Sequence, residues 1–379
     1  MKKLFLTILA LSFLYSCDSP EKAPVSEDIR VPELVLVDSL VVDRLTQFDV
    51  VDINEDSTRY LLYDWSTNEF MISSPSGEIL AIADLTGDGK NSYQERYFIG
   101  AKFYGKDQIL IQAKSGVFSY DLNFNLIAKR PTTYSLETRH VDGSRSFNVF
   151  GSYIYTFSIE EKDQESVYPN EEFSKAYPFF TIRDAGSLAV VSSIFVPEGS
   201  SLFKNPGFYN NLDPIVQVEV NSIFVLYPNS PELYIYDLPS LGLRKSIDLV
   251  PNEAFKVAKP YRLKENLRGF FNSLAASEYH YFAFSNGYLL TMYDEAAPQE
   301  EVDALPKDQV GGEEFMALLK KHKFTYTYQI FKEEKKIWEG DWDISLKVVR
   351  DVIFSFSKIG EDPDAQEKDF QTVYFYELK

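Results

Sequence analysis

A strand–turn–strand unit recurs five times along the chain, and it restricts the possible folds more than any other feature. It appears in "EFMISSPSGEILAIADL" (69–85), "GVFSYDLNFNLIAKRP" (116–131) and "FFTIRDAGSLAVVSSIFVP" (179–197). It returns in "LYIYDLPSLGLRKSIDLVP" (233–251) and "YTYQIFKEEKKIWEGDWDI" (326–344). Each unit joins two runs of alternating apolar residues, rich in Tyr, Phe, Val and Ile, across a short turn. Those turns carry Ser, Asp, Asn, Pro, Gly or charged residues, which tight turns favour. At least one further strand precedes each unit: "RYLLYDWS", "DQILIQAK", "NVFGSYIYTFS", "NSIFVLYP" and "YHYFAFSNGYLLTMY". Strands that end in a hairpin and repeat at intervals of tens of residues predict an all-β fold built as a β-propeller.

A sixth unit is split between the two ends of the chain. "SLKVVRDVIFSFSK" (345–358) and "TVYFYELK" (372–379) supply three strands, and "ELVLVDSLVV" (33–42) supplies a fourth that has no partner nearby in sequence. Pairing the N-terminal strand with the C-terminal blade would close the ring and hide both edges, as a propeller requires. Five whole hairpins and one split one predict six blades. The alternative of seven or eight follows only from dividing the length by a repeat of about 45 residues.

Connection lengths are uneven. In a four-stranded antiparallel blade, the first-to-second and third-to-fourth turns share one face, and these are short throughout. The long connections all belong to the other class. They are 160–178, 294–322 and 358–369 between second and third strands, and 129–143, 196–214 and 250–269 between blades. Connections longer than about 12–15 residues in a compact fold are usually functional or disordered, so the long-loop face is the candidate contact surface. Three of its loops are acidic, through Glu160, Glu161, Asp163, Glu165, Glu300, Glu301, Asp303, Glu361, Asp362 and Asp364. A fourth is basic: Lys256, Lys259, Arg262, Lys264 and Arg268 are interleaved with Phe255 and Tyr261. That loop could recognise a carboxylate or could be a solvated stretch balancing its neighbours. The one clear helical pattern is "EEFMALLKKH" (313–322), where Phe315, Leu318, Leu319 and His322 share a face.

The chain opens "MKKLFLTILALSFLYSCDSPEKAP". Leu4–Tyr15 rises only about 18 Å as a helix, too short for a bilayer core of about 30 Å. Residues 1–16 therefore read as a cleaved export signal. Cys17 is the only cysteine, which excludes an intramolecular disulfide. Its place after "LYS" resembles the bacterial lipoprotein box, which implies cleavage before Cys17 and acylation of Cys17. Acyl chains contribute about 0.8 kcal/mol per buried CH₂ and would hold the protein on a membrane. Residues 17–32 then form the lipidated cysteine and a flexible tether, and 33–379 the propeller domain. The formal charge of −19 becomes −21 once the two signal lysines are removed. Such a surface repels phosphate backbones and argues against nucleic acid as a partner.

Asp84–Glu95, "DLTGDGKNSYQE", has the oxygen-ligand spacing of a calcium loop. Asp84, Asp88 and Glu95 would supply carboxylates, Thr86 and Ser92 hydroxyls and Lys90 its carbonyl. The competing reading is a link between blades whose glycines allow positive φ. No "HExxH", "GxSxG" or phosphate-cradling glycine loop is present. The three histidines, His140, His280 and His322, are too few and scattered for a zinc site. His140, beside Arg139 and Asp142, is the remaining acid–base candidate. No catalytic residue is assigned.

A lipobox-like Cys17, a polar tether and a propeller with an N-terminal closing strand resemble the TolB-like six-bladed β-propeller lipoproteins of Bacteroidetes-type bacteria. That group includes domains of unknown function, and "DLTGDGKNSYQE" looks like its "GxGP/N-x-[FY]" link after the first hairpin. The resemblance covers 17–379 and implies a fold and a place in the cell envelope, on the periplasmic or cell-surface side. It transfers no catalytic residue. The expected function is an anchored monomer that binds a protein or glycan through its long-loop face, without cofactor. The alternative is a calcium-assisted hydrolase or lactonase of the six-bladed kind.

Overall fold

The computed structural model describes residues 30–44, 46–93, 98–136, 147–167, 170–262, 266–306, 310–359 and 370–379. Cys17, Glu95, His140, Lys264, Glu361, Asp362 and Asp364 lie outside the described residues. Residues Glu33–Lys379 make up one compact unit.

Alternation in the sequence becomes six antiparallel sheets. Strand β1 (Leu34–Val41) comes first. The first blade holds β2 (Asp49–Ile53), β3 (Tyr60–Asp64), β4 (Glu69–Ser73) and β5 (Ile79–Asp84). The second holds β6 (Phe98–Tyr104), β7 (Gln108–Ala113), β8 (Gly116–Asp121) and β9 (Leu126–Pro131). In the third, the innermost position is divided between β10 (Tyr134–Leu136) and β11 (Phe147–Phe150). Both pair with β12 (Tyr153–Glu160), which leads to β13 (Phe180–Asp184) and β14 (Val190–Ile194). The fourth blade is β15 (Ile215–Glu219), β16 (Ser222–Leu226), β17 (Glu232–Asp237) and β18 (Leu243–Asp248). The fifth is β19 (Tyr279–Ser285), β20 (Tyr288–Asp294), β21 (Tyr326–Lys332) and β22 (Lys335–Gly340). The last is β23 (Lys347–Val349), β24 (Val352–Ser355) and β25 (Thr372–Leu378), completed by β1 on its outer edge.

Burial follows position within a blade. β3 is buried at all five residues, because blades cover both of its faces, whereas outer strands β5 and β9 alternate between half-buried and exposed. Phe and Tyr fill the space between blades. Tyr63 and Phe70 of the first blade meet Phe98 of the second at ring separations of 4.7 and 4.8 Å. Rings at these distances pack edge-on or tilted, which satisfies their quadrupoles as well as burying area.

The ring closes as expected. β1 runs antiparallel to β25, with Leu34 opposite Leu378 and Val41 opposite Thr372. Glu33 and Lys379 extend the ladder, each amide donating to the other's carbonyl at 2.7 and 2.9 Å. Residue 33 therefore enters the ring on the short-turn face. It lies next to the turn at Asn286 (φ +50°) and Gly287 (φ +80°), where Asn286 Nδ2 donates to the Leu378 carbonyl at 2.9 Å. Positive φ at both central residues gives the twist a two-residue hairpin needs.

Long connections contain more helix than periodicity indicates. Besides short turns of helix at Gln164–Val167, Phe173–Ala176 and Ser201–Lys204, three helices decorate the blade-five region. These are α1 (Asn266–Leu274), α2 (Gln299–Ala304) and α3 (Glu313–Leu318). The predicted "EEFMALLKKH" helix is α3 followed by a wider turn at Leu319–Lys323. Phe271, Leu274, Ala297, Val302, Leu305, Phe315 and Leu318 bury one another as a satellite core.

Candidate functional site

A cavity of about 1280 Å³ lies where two long connections meet. One wall is the link from blade four to blade five, with Glu253, Ala254, Lys256, Val257 and Lys259. The opposite wall is the blade-five insertion, with Glu295, Pro298, Gln299 and Asp303. Phe271, Asn272, Ala275, Ala276 and Ala297 line the floor.

Each wall is fixed from beneath. Phe255 turns inward, 5.2 Å from the rings of both Tyr279 and Tyr293. Tyr261 turns inward as well, and its amide donates to the Phe208 carbonyl at 2.8 Å. Its ring lies so close to Gly269 of α1 that a β-carbon there would fall 2.3 Å from it, so glycine is what lets helix and link touch. On the insertion wall, Glu301 of α2 accepts from Lys321 Nζ at 2.8 Å and faces His322 Nε2 at 3.1 Å, across the turn after α3. Those two bonds hold the Glu301 carboxyl below the usual glutamate range. Lys323 Nζ reaches Asp294 Oδ1 at 2.8 Å and the Ala276 carbonyl at 2.7 Å, tying the insertion to the floor.

Two of the five basic-loop residues read from the sequence, Lys256 and Lys259, thus line a cavity. Arg262 instead faces Glu171 at 3.8 Å, with both side chains exposed. The aromatics Phe255 and Tyr261 are core residues rather than contact residues. Among the described lining residues, Phe271, which is 3% exposed, is the one aromatic.

A second place where a propeller can hold a ligand is its axis. Here Asp52 of β2 is fully buried and accepts from Arg350 Nε and Nη2 at 3.1 and 2.9 Å. Lys102 Nζ of β6 lies 3.5 Å away, and the Phe103 amide donates to the same carboxylate at 2.8 Å. Gln217 Nε2 donates to the Arg350 carbonyl, and Asn148 Nδ2 to that of Val216 at 2.8 Å. The voids left along this axis are about 20 and 10 Å³, the second below the room one water needs. Toward the short-turn face the axis opens into a hollow of about 290 Å³ that includes Glu55, Arg350 and Asp351. Burial pushes the Asp351 carboxyl up to about 6; the Phe284 amide opposes the shift and Glu219 adds to it.

None of the axial residues was singled out from sequence. The available signal was a charged residue inside an otherwise apolar innermost strand, in "VVDIN" and "GAKFYG". The calcium-loop residues lie elsewhere. Asp84 Oδ1 accepts from the Thr86 amide at 2.8 Å and the Thr86 hydroxyl at 2.7 Å. Ser92 Oγ donates to the Gly87 carbonyl, Asn91 Oδ1 accepts from the Leu126 amide at 3.2 Å, and Asp88 is exposed. Among the described residues, no group of three His, Cys, Asp or Glu side chains is placed to hold a metal. His280 is a paired strand residue, with Nε2 3.1 Å from Asp294 Oδ2.

Fold and cleft together define the class: a six-bladed β-propeller decorated on one face. No family model matches the chain, and no curated protein matches it. Among solved structures, it is similar to a member of the DUF4221 family from Bacteroides vulgatus. That match has 14% identity and a TM-score of 0.61 over 92% of this chain and 99% of that one. It is also similar to a "Putative exported protein" of Bacteroides fragilis, with 11% identity and a TM-score of 0.51 over 92% and 96% of the two chains. At such identities the likeness is one of fold. Among the described residues, no helix is long and apolar enough to cross a membrane.

Proposed function

We propose that this protein is an envelope lipoprotein of the TolB-like kind, anchored through acylated Cys17, whose propeller binds a protein or glycan partner at its long-loop face. The observation that carries the reading is the 1280 Å³ cleft, built wholly from long connections and their helices. The short sequence around Cys17 supports the anchor, and the export attributed to the Bacteroides fragilis neighbour fits the same compartment.

Two measurements test this. Mass analysis of the protein purified from membranes should find acyl groups on Cys17, and Cys17→Ala should move it to the soluble fraction. Pull-downs from envelope extracts should then recover a partner with the wild type that is lost with Gln299→Trp, which fills the cleft from an exposed position. An unacylated, soluble protein would end the anchor reading, and capture indifferent to the cleft would end the binding reading.

A further inference from the structure

Resting on that binding reading, we propose that the cleft holds an extended polypeptide segment of a partner protein, carrying both acidic and basic side chains, rather than a glycan.

Three observations lead there. First, the cavity exceeds the range of about 300–1,000 Å³ usual for small-molecule sites, so its occupant is a stretch of polymer. Second, its walls differ in charge. The link carries Lys256 and Lys259 beside Glu253, while Glu295 and Asp303 stand on the insertion. Among the described residues, Lys256 Nζ donates to the Glu253 carbonyl, at 2.6 Å, and Asp303 accepts from Gln299 of its own helix at 3.0 Å. These charges face the cleft without cancelling across it, so a ligand must bring a carboxylate to one side and a cation to the other. A neutral sugar answers neither. Third, sugar chains dock on exposed aromatic faces, and the one ring in the lining is buried.

The link also offers backbone. Lys256 is fixed by the Ser277 amide, which donates to its carbonyl at 2.8 Å, and Tyr261 by Phe208. Between them, Val257–Lys259 make no backbone hydrogen bond among the described residues. A peptide laid along such an edge gains main-chain bonds, and side-chain pockets then select its sequence. The alanine floor leaves room for its side chains, and half-exposed Val257 gives an apolar contact.

The test exposes the mature full chain to a random library of ten-residue peptides and, separately, to a panel of neutral and acidic oligosaccharides. Peptides carrying at least one acid and one base should be enriched, and both Gln299→Trp and Ala275→Trp should abolish the enrichment. Lys256→Glu with Lys259→Glu should weaken a selected peptide by about tenfold or more and shift selection toward basic peptides. Melting curves of each variant confirm the fold. Oligosaccharides bound in competition with Gln299→Trp would overturn the peptide assignment while leaving a binding cleft. Peptide enrichment indifferent to all four substitutions would overturn it too.

Discussion

The axis and the cleft both gather charged side chains, and they treat charge in opposite ways. On the axis, Asp52 answers Lys102 and Arg350, the surrounding amides are taken, and two small voids of about 20 and 10 Å³ lie between the innermost strands, apart from the hollow toward the short-turn face. In the cleft, both lysines stand on the link and Glu295 and Asp303 stand on the insertion, around an open volume. A buried charge that loses its partner is costly because nothing replaces the missing water. An exposed charge that loses its partner costs little. The axis is therefore a structural device, and the cleft is where affinity can change without consequence for folding.

The sharpest way to break this contrast is Asp52→Ala. It removes the buried carboxylate that Lys102 and Arg350 face, and urea melts should show a loss of about 3–5 kcal/mol with peptide affinity in the cleft unchanged. An effect on affinity larger than on stability would erase the distinction. Next in size, Val302→Ala removes two methyl groups from the satellite core under the insertion wall. A loss of about 2 kcal/mol should appear in hydrogen exchange as faster opening of 295–318, leaving β2 and β6 protected.

A smaller effect is expected from Asp351→Asn at the hollow below the axis. The folded carboxyl keeps its proton up to about 6, against 3.8 for the ordinary group. The wild type is therefore penalised as pH rises through that window, and below it the penalty vanishes. Thermal melts should find the variant more stable by about 1–2 kcal/mol at pH 7.5, after allowance for partial exposure, and level with wild type near pH 3.5. The smallest change in stability, within about 0.5 kcal/mol, belongs to Lys256→Glu with Lys259→Glu. The same pair should still weaken a selected peptide by about tenfold or more, measured by titration.

Sequence and structure agree best where the physics is periodic. A hairpin such as 69–85 announces itself because its outer strand β5 alternates in burial and leaves an alternating pattern. The clasp was legible because 33–42 is a strand with no local partner, and a strand must pair somewhere. Other features left weaker marks. Helices α1 and α2 are short and pack on one another rather than on the ring, so their apolar residues sit in loops otherwise full of charge. Lys256 and Lys259 were visible as part of a basic stretch, yet only folding sets Glu295 and Asp303 across from them. Phe255 and Tyr261, interleaved with those lysines in the sequence, are the anchors that hold the link down. Asp52, Lys102 and Arg350 are far apart in sequence, and their meeting depends on closure of the ring.

The clasp has a mechanical consequence. β1 meets β25 through seven paired positions, and the chain enters at the Leu34 end. Tension between a membrane tether and a captured partner would run lengthwise along β1. All seven rungs would then resist in shear together instead of unzipping in turn, and the ring would stay shut while it is pulled.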